Sequence, residues 1–168
     1  MEYMAPEVVR GQADPSTETD LHSLAVLLFN LWIRHHPLHG ELEYHIRSWD
    51  LVAKRHVYGE RTVFIFDPQD CSNQLPNDPD YASARRLWQV CPQGLRDLFT
   101  HAFTLGLREP AQRVTEGEWQ RRFWQLQDGA IACPACHAEN LWEPGVSTLA
   151  CWHCATPIPL PPKLICHH

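Results

Sequence analysis

The sequence predicts a mainly α body followed by a small cysteine-rich module, and three observations carry that reading. Apolar residues recur at helical spacing through much of the first 128 positions. Two CxxC pairs, Cys133-Pro-Ala-Cys136 and Cys151-Trp-His-Cys154, stand fourteen residues apart near the C-terminus. Between the two regions the composition shifts at Asp128-Gly129, and residues 131 to 168 hold one cation, Lys163, and two acids, Glu139 and Glu143. The expected division is 1–128 and 129–168. At 168 residues and 19.4 kDa the chain is too short for two full-sized enzyme domains.

The first long element, Thr19 to Arg34, has apolar residues at 21, 24 to 29 and 31 to 33. That is more than one stripe, so this helix is expected to be buried nearly all round. Ahead of it, Thr17-Glu18-Thr19-Asp20 follows Pro15-Ser16 with a capping hydroxyl and an acid three residues on, which suits a helix start and its dipole, and Pro37 with Gly40 stops it. Glu41 to about Arg55 reads as helical. Thr62-Val-Phe-Ile-Phe66 is a short β-prone run closed by Asp67-Pro68, and residues 67 to 80, DPQDCSNQLPNDPD, read as an ordered loop. Helical spacing returns over Tyr81 to Val90 and Pro92 to Leu105. A last helix starts at the capping box Thr115-Glu-Gly-Glu118, with Trp119, Phe123, Trp124 and Leu126 on its core side.

Fourteen Lys+Arg against twenty Asp+Glu give a formal net charge of −6, so nothing global draws the chain to nucleic acid or an anionic membrane. No apolar run reaches the roughly 18 to 20 residues that cross a bilayer, and Met1-Glu2 does not begin a secretory signal. The expected location is the cytoplasm and the expected partners are other proteins, with no nucleic acid and no membrane. In a reducing compartment, two CxxC pairs among seven cysteines read as metal binding.

Each CxxC turn aims two sulfurs at one edge of a tetrahedron, so Cys133, Cys136, Cys151 and Cys154 are expected to hold one structural zinc. Four thiolates leave no open position, and the metal would fold the module without catalysing anything. Iron accepts the same ligands. A redox dithiol would account for only one of the two pairs. His137 and His153, beside the ligands, read as surface imidazoles.

At the N-terminus, Glu2-Tyr-Met-Ala-Pro-Glu7-Val resembles the APE segment that closes a protein kinase activation loop. Asp20-Leu-His-Ser-Leu-Ala then resembles the start of the central helix of the kinase C-terminal lobe, with His22 and Ala25 in place of the family's Trp and Gly. His36-Pro-Leu38 follows, and Glu109-Pro-Ala-Gln-Arg113 resembles the late DPxxR turn. These elements span residues 2 to 128. The phrase Val63-Phe-Ile-Phe-Asp-Pro-Gln-Asp-Cys-Ser-Asn73, with the ribbon after it, is similar to a bacterial group of Ser/Thr kinases encoded beside von Willebrand A domain and metal-dependent phosphatase proteins. In that group the ribbon is thought to dock partners.

The resemblance implies a protein-kinase-like C-lobe fragment with an appended zinc ribbon. It implies that Glu7 and Arg113 form a structural ion pair and that Asp20 accepts bonds from the catalytic loop; the residues alone allow Asp20 a simple place in a helix cap. The Gly-rich loop, strand Lys, catalytic Asp and Asn, and DFG Asp that phosphoryl transfer needs are not in the sequence. No catalytic residue is therefore expected here. ATP and Mg would belong to a full-length parent that supplies the N-lobe, with Met1 and Met4 inside a motif that normally continues upstream. The alternative is a stand-alone, pseudokinase-like interaction module. Asp67 and Asp70 read as turn formers, Arg85-Arg86 and Arg121-Arg122 as solvated helix faces, and Cys71 and Cys91 as small core residues. One exposed tryptophan of the ribbon, Trp142 or Trp152, would suit an interface.

Overall fold

A one-turn helix, α1 (Pro6–Val9), begins the computed structural model, which describes residues 1–160. Lys163, Cys166 and the histidines 167 and 168 lie outside the described residues. The chain is mainly helical. The long helix α2 (Thr17–Ile33) starts at Ser16, whose hydroxyl accepts from the Thr19 N–H while Thr19 Oγ1 accepts from the Ser16 N–H. The reciprocal partner is thus a threonine, not an acid. The helix ends at Arg34, which takes a left-handed φ of 56°, three residues before Pro37.

Phe29 of α2 organises the core. Its ring lies 5.1 to 6.4 Å from those of Phe64, Phe66, Trp88, Phe99 and Phe103. Around it gather Val26 and Ile33 of α2, Leu95 and Phe99 of α6 (Gln93–Phe103), and Trp119 and Leu126 of α8 (Glu116–Asp128). α8 has the expected cap, with Thr115 Oγ1 accepting from the Glu118 N–H and the Glu118 carboxylate accepting from the Thr115 N–H. Between these lie α3 (Glu41–Tyr44), α4 (Leu51–Arg55), α5 (Ala82–Val90) and α7 (Leu105–Arg108). Residues 56 to 60 continue α4 as one wide π turn.

Several expectations need correcting. α2 is not buried all round: Leu27 is 45% and Leu31 69% exposed, because the core packs on one face only. Glu41 to Arg55 is two short helices with residues 45 to 50 between them, each too brief to exceed a turn or so. Thr62 to Phe66 forms no strand. Phe64 and Ile65 are both buried, the Ile65 N–H bonds to the Pro37 carbonyl, and Asn73 Nδ2 donates to the Val63 carbonyl. The β-prone composition there reflects burial on both sides, without a neighbouring strand to pair with. Trp124 is 57% exposed and Cys71 is exposed. Arg85 is no solvated cation either, since its guanidinium donates to the Pro76 and Asp78 carbonyls at 2.5 and 2.7 Å and holds the loop against α5.

After α8 come two antiparallel two-stranded pairs, β1 (Ala130–Ala132) with β2 (Glu139–Leu141) and β3 (Leu149–Ala150) with β4 (Pro157–Ile158). Gly129 joins helix to strand. A Cβ there would lie 2.1 Å from the Trp142 carbonyl oxygen, so only glycine lets the end of β2 close on the end of α8. No described helix is long and apolar enough to cross a membrane.

Candidate metal centre and the residues that seat it

The two CxxC turns are built alike. In the first, the Cys133 N–H bonds to the Ala138 carbonyl and the His137 N–H to the Cys133 carbonyl. In the second, the Cys151 N–H bonds to the Thr156 carbonyl and the Ala155 N–H to the Cys151 carbonyl. The residue after each second cysteine, His137 or Ala155, has a left-handed φ of 59°. Each turn folds back sharply enough to put both of its sulfurs on one side.

The four sulfurs lie within 4.8 Å of one another, with Cys133 to Cys154 and Cys136 to Cys151 both at 3.6 Å. Zinc bound to four thiolates at about 2.3 Å needs sulfur tetrahedron edges of about 3.8 Å. The donor set therefore fits one tetrahedral metal compatible with structural zinc, and such a metal would tie the two turns together. His137 and His153 are exposed and lie outside the cluster.

N–H donors surround the sulfurs. Ala135 N donates to Cys133 Sγ and His153 N to Cys151 Sγ, both at 3.4 Å. Burial raises the Cys151 thiol, but backbone donors at Cys154 and His153 and the side chain of Asn140 outweigh it and bring it to about 6. Asn140, only 3% exposed, joins the two turns: its Nδ2 reaches the Ala138 carbonyl and Cys151 Sγ, and its Oδ1 accepts from the Trp152 N–H. Sequence reading passed over Asn140, since a lone Asn between CxxC pairs carries no spacing signal. Such groups behind the ligands orient them as the ligands orient the metal.

The module is seated on the helical body by Glu143. Its Oε1 accepts from the Gly94 N–H at 3.0 Å and lies 3.3 Å from Arg122 Nη1. α6 has Pro92 at its N-cap with no side-chain cap of its own, so a carboxylate from the cysteine module serves as one, in the favourable field of the helix start. Gly94 leaves room for the Arg122 guanidinium, which a Cβ there would meet at 2.3 Å and push aside. Leu141 packs against the main core, and the Arg86 guanidinium sits 5.8 Å from the Trp152 ring centroid.

The structure brings Glu7 and Arg113 together. Arg113 Nη1 donates to Glu7 Oε1 at 2.8 Å and Nη2 to Oε2 at 2.9 Å. Arg113 also donates to the carbonyls of Gly106 and Glu18, joining α1, α2 and α7 at one buried guanidinium. Burial raises the Glu7 carboxyl, but the Arg113 bonds outweigh it and hold it below the usual carboxylate range. Asp20 lies exposed in the first turn of α2, and among the described residues its carboxylate makes no hydrogen bond. The loop acids form turns: Asp67 Oδ1 accepts from the N–H groups of Gln69 and Asp70, and Asp70 Oδ1 from that of Ser72. Comparison with protein-family models, with curated proteins and with solved structures found no match.

Proposed function

We propose that this chain is the C-terminal lobe of a bacterial Ser/Thr protein kinase, carrying a zinc ribbon that docks partner proteins. The observation that carries the reading is the Glu7–Arg113 pair. The APE-like segment and the PxxR turn stand 106 residues apart, and their two ionic side chains meet as a buried bidentate pair. That is the contact the motif resemblance implies between these two positions. The support lies in motif segments and this pair, not in an overall likeness to a known structure.

The residues of phosphoryl transfer are not among these 168, so the role proposed for them is scaffold and docking, with ATP and Mg bound by the full-length parent. Arg113 fixes the end of the APE-like segment to α2 and α7. Cys133, Cys136, Cys151 and Cys154 would hold the zinc, which supplies the cross-link that a module this small cannot obtain from a core. Glu143 and Leu141 transmit the position of that module to α6 and α8. Incubated alone with ATP, Mg and a generic protein substrate, the chain should transfer no phosphate. Turnover that a Glu7→Gln change abolishes would overturn the assignment of a non-catalytic scaffold.

The alternative, a stand-alone, pseudokinase-like interaction module, draws on the exposure of Trp152 at 46% beside Cys151. A surface tryptophan on a metal-ordered turn is a pre-organised anchor for a partner. Both readings assign the ribbon the same docking task.

A further inference from the structure

Where the cysteine module meets the helical body, α2, α5 and the second CxxC turn enclose a groove of about 410 Å³. Leu31, Trp32, Leu87 and Trp152 line it, with Arg34 and Arg86 as its charged residues. Leu31 is 69% exposed. The Trp152 indole is fixed by its Nε1–H donating to the Glu139 carbonyl at 2.8 Å and by Arg86 over its face. Neither Arg34 nor Arg86 has an acidic partner among the described residues. In a chain whose net charge is −6, an apolar groove bordered by two arginines and no acid is a local inversion of the global charge.

We propose that this groove binds a peptide segment of a partner protein that presents an apolar side chain flanked by Asp or Glu. The apolar side chain would sit between Leu31, Leu87 and Trp152, and the flanking carboxylates would meet Arg34 and Arg86. Aromatic and arginine side chains around a desolvated centre are the composition that concentrates binding energy, and the arginines select the partner by charge. Residues 161–168, PPKLICHH, hold no Asp or Glu and one lysine, so their side chains lack the complementary charge. A second copy placed groove to groove would bring like charges together. Trp152 follows the ligand Cys151, so one wall of the groove stands only while the metal site is formed.

This inference rests on the docking role proposed above, and the test separates the two. The full chain is loaded with Co(II), whose thiolate absorption reports the four-sulfur site, and is then panned against a random displayed peptide library. The expected enrichment is for apolar residues beside Asp or Glu. The best peptide, labelled for fluorescence polarisation, should bind the double variant Arg34→Glu, Arg86→Glu roughly tenfold more weakly or worse, with recovery when its acids are changed to Lys. Leu31→Asp, at an exposed position, should weaken binding similarly. Enriched peptides whose binding ignores the charge reversal would leave a docking module and overturn the groove. No enrichment on a protein with an intact cobalt spectrum would overturn both the groove and the docking role. Dimerisation that Leu31→Asp abolishes would show that a second copy covers the groove, and would also overturn the proposal.

Discussion

Arg113 grips Glu7 with both ends of its guanidinium, at 2.8 and 2.9 Å, with the arginine side chain 2% and the glutamate side chain 14% exposed. Removing one member strands the other. Arg113→Met should cost about 3 to 5 kcal/mol in urea unfolding, because it leaves Glu7 uncompensated and takes the donor from two carbonyls as well. Glu7→Gln should cost less, since Arg113 keeps the Gly106 and Glu18 carbonyls. The double variant should cost less than the sum of the two. The Glu7 value is depressed in the fold, so the pair's stabilisation is full above the ordinary value of 4.5 and is lost as pH falls through the folded value.

The four-cysteine site should take up one metal per chain. Cys136→Ser or Cys154→Ser should abolish the cobalt thiolate absorption and unfold the module, while Cys71→Ser and Cys91→Ser should leave it unchanged. Cys91 is buried with its thiol pushed up to about 12 by desolvation, whereas Cys71 is exposed. Iodoacetamide acting on the metal-loaded protein should therefore label Cys71 and spare Cys91, which peptide mass mapping reads directly.

Glu143 joins the cysteine module to the helical body. Glu143→Ala should cost about 1 to 2 kcal/mol, and hydrogen exchange should rise at the first turn of α6, where the Gly94 N–H loses its acceptor. A double-mutant cycle with Arg122→Met should show coupling, since the two side chains are only 13% and 28% exposed. Unchanged exchange at Gly94 would remove Glu143 from this role.

Two buried histidines, His22 and His36, and the half-buried His39 set the acid limit. Desolvation lowers His36 to about 4 and His22 and His39 to about 3, from an ordinary 6.5. His36 Nε2 donates to the Glu2 carbonyl at 2.9 Å while its Nδ1 accepts from the Leu38 N–H, and His39 Nε2 bonds Tyr58 Oη at 2.6 Å. The neutral rings belong to the fold, and the unfolded chain binds the extra protons. Stability should be constant above about pH 6.5 and fall below it by up to about 1.4 kcal/mol per pH unit for each histidine. Imidazole NMR shifts of these three that stay at neutral values down to pH 5 would agree with this; titration near 6.5 would not.

The helices that the sequence announces most clearly are those whose signals are local. The Thr115–Glu118 capping box and the apolar spacing of residues 92 to 105 both produce helices where the residues place them. The four cysteines of the candidate metal site are legible for the same reason, since each CxxC turn closes within a few residues. The failures involve partners outside the local spacing that periodicity and capping signals read. Thr62 to Phe66 has strand composition, but its bonds go to Pro37 and Asn73, and nothing local could reveal that. Arg85 looks like half of a solvated basic pair until the loop carbonyls of Pro76 and Asp78 fold over it. Glu143 and Asn140 act through contacts that only the folded chain creates. Trp124 and Leu31 show the opposite limit, because apolar composition alone does not say which side of a helix the core occupies.

The DNA immediately upstream of the Met1 codon, read in the same frame, bears hardest on the kinase-lobe proposal. The frame should continue without a stop through a DFG motif, an HRD motif and a Gly-rich loop, which would make residues 1–128 the lower lobe of an active kinase. An in-frame stop just ahead of Met1 would contradict that origin and leave a metal-stabilised interaction module.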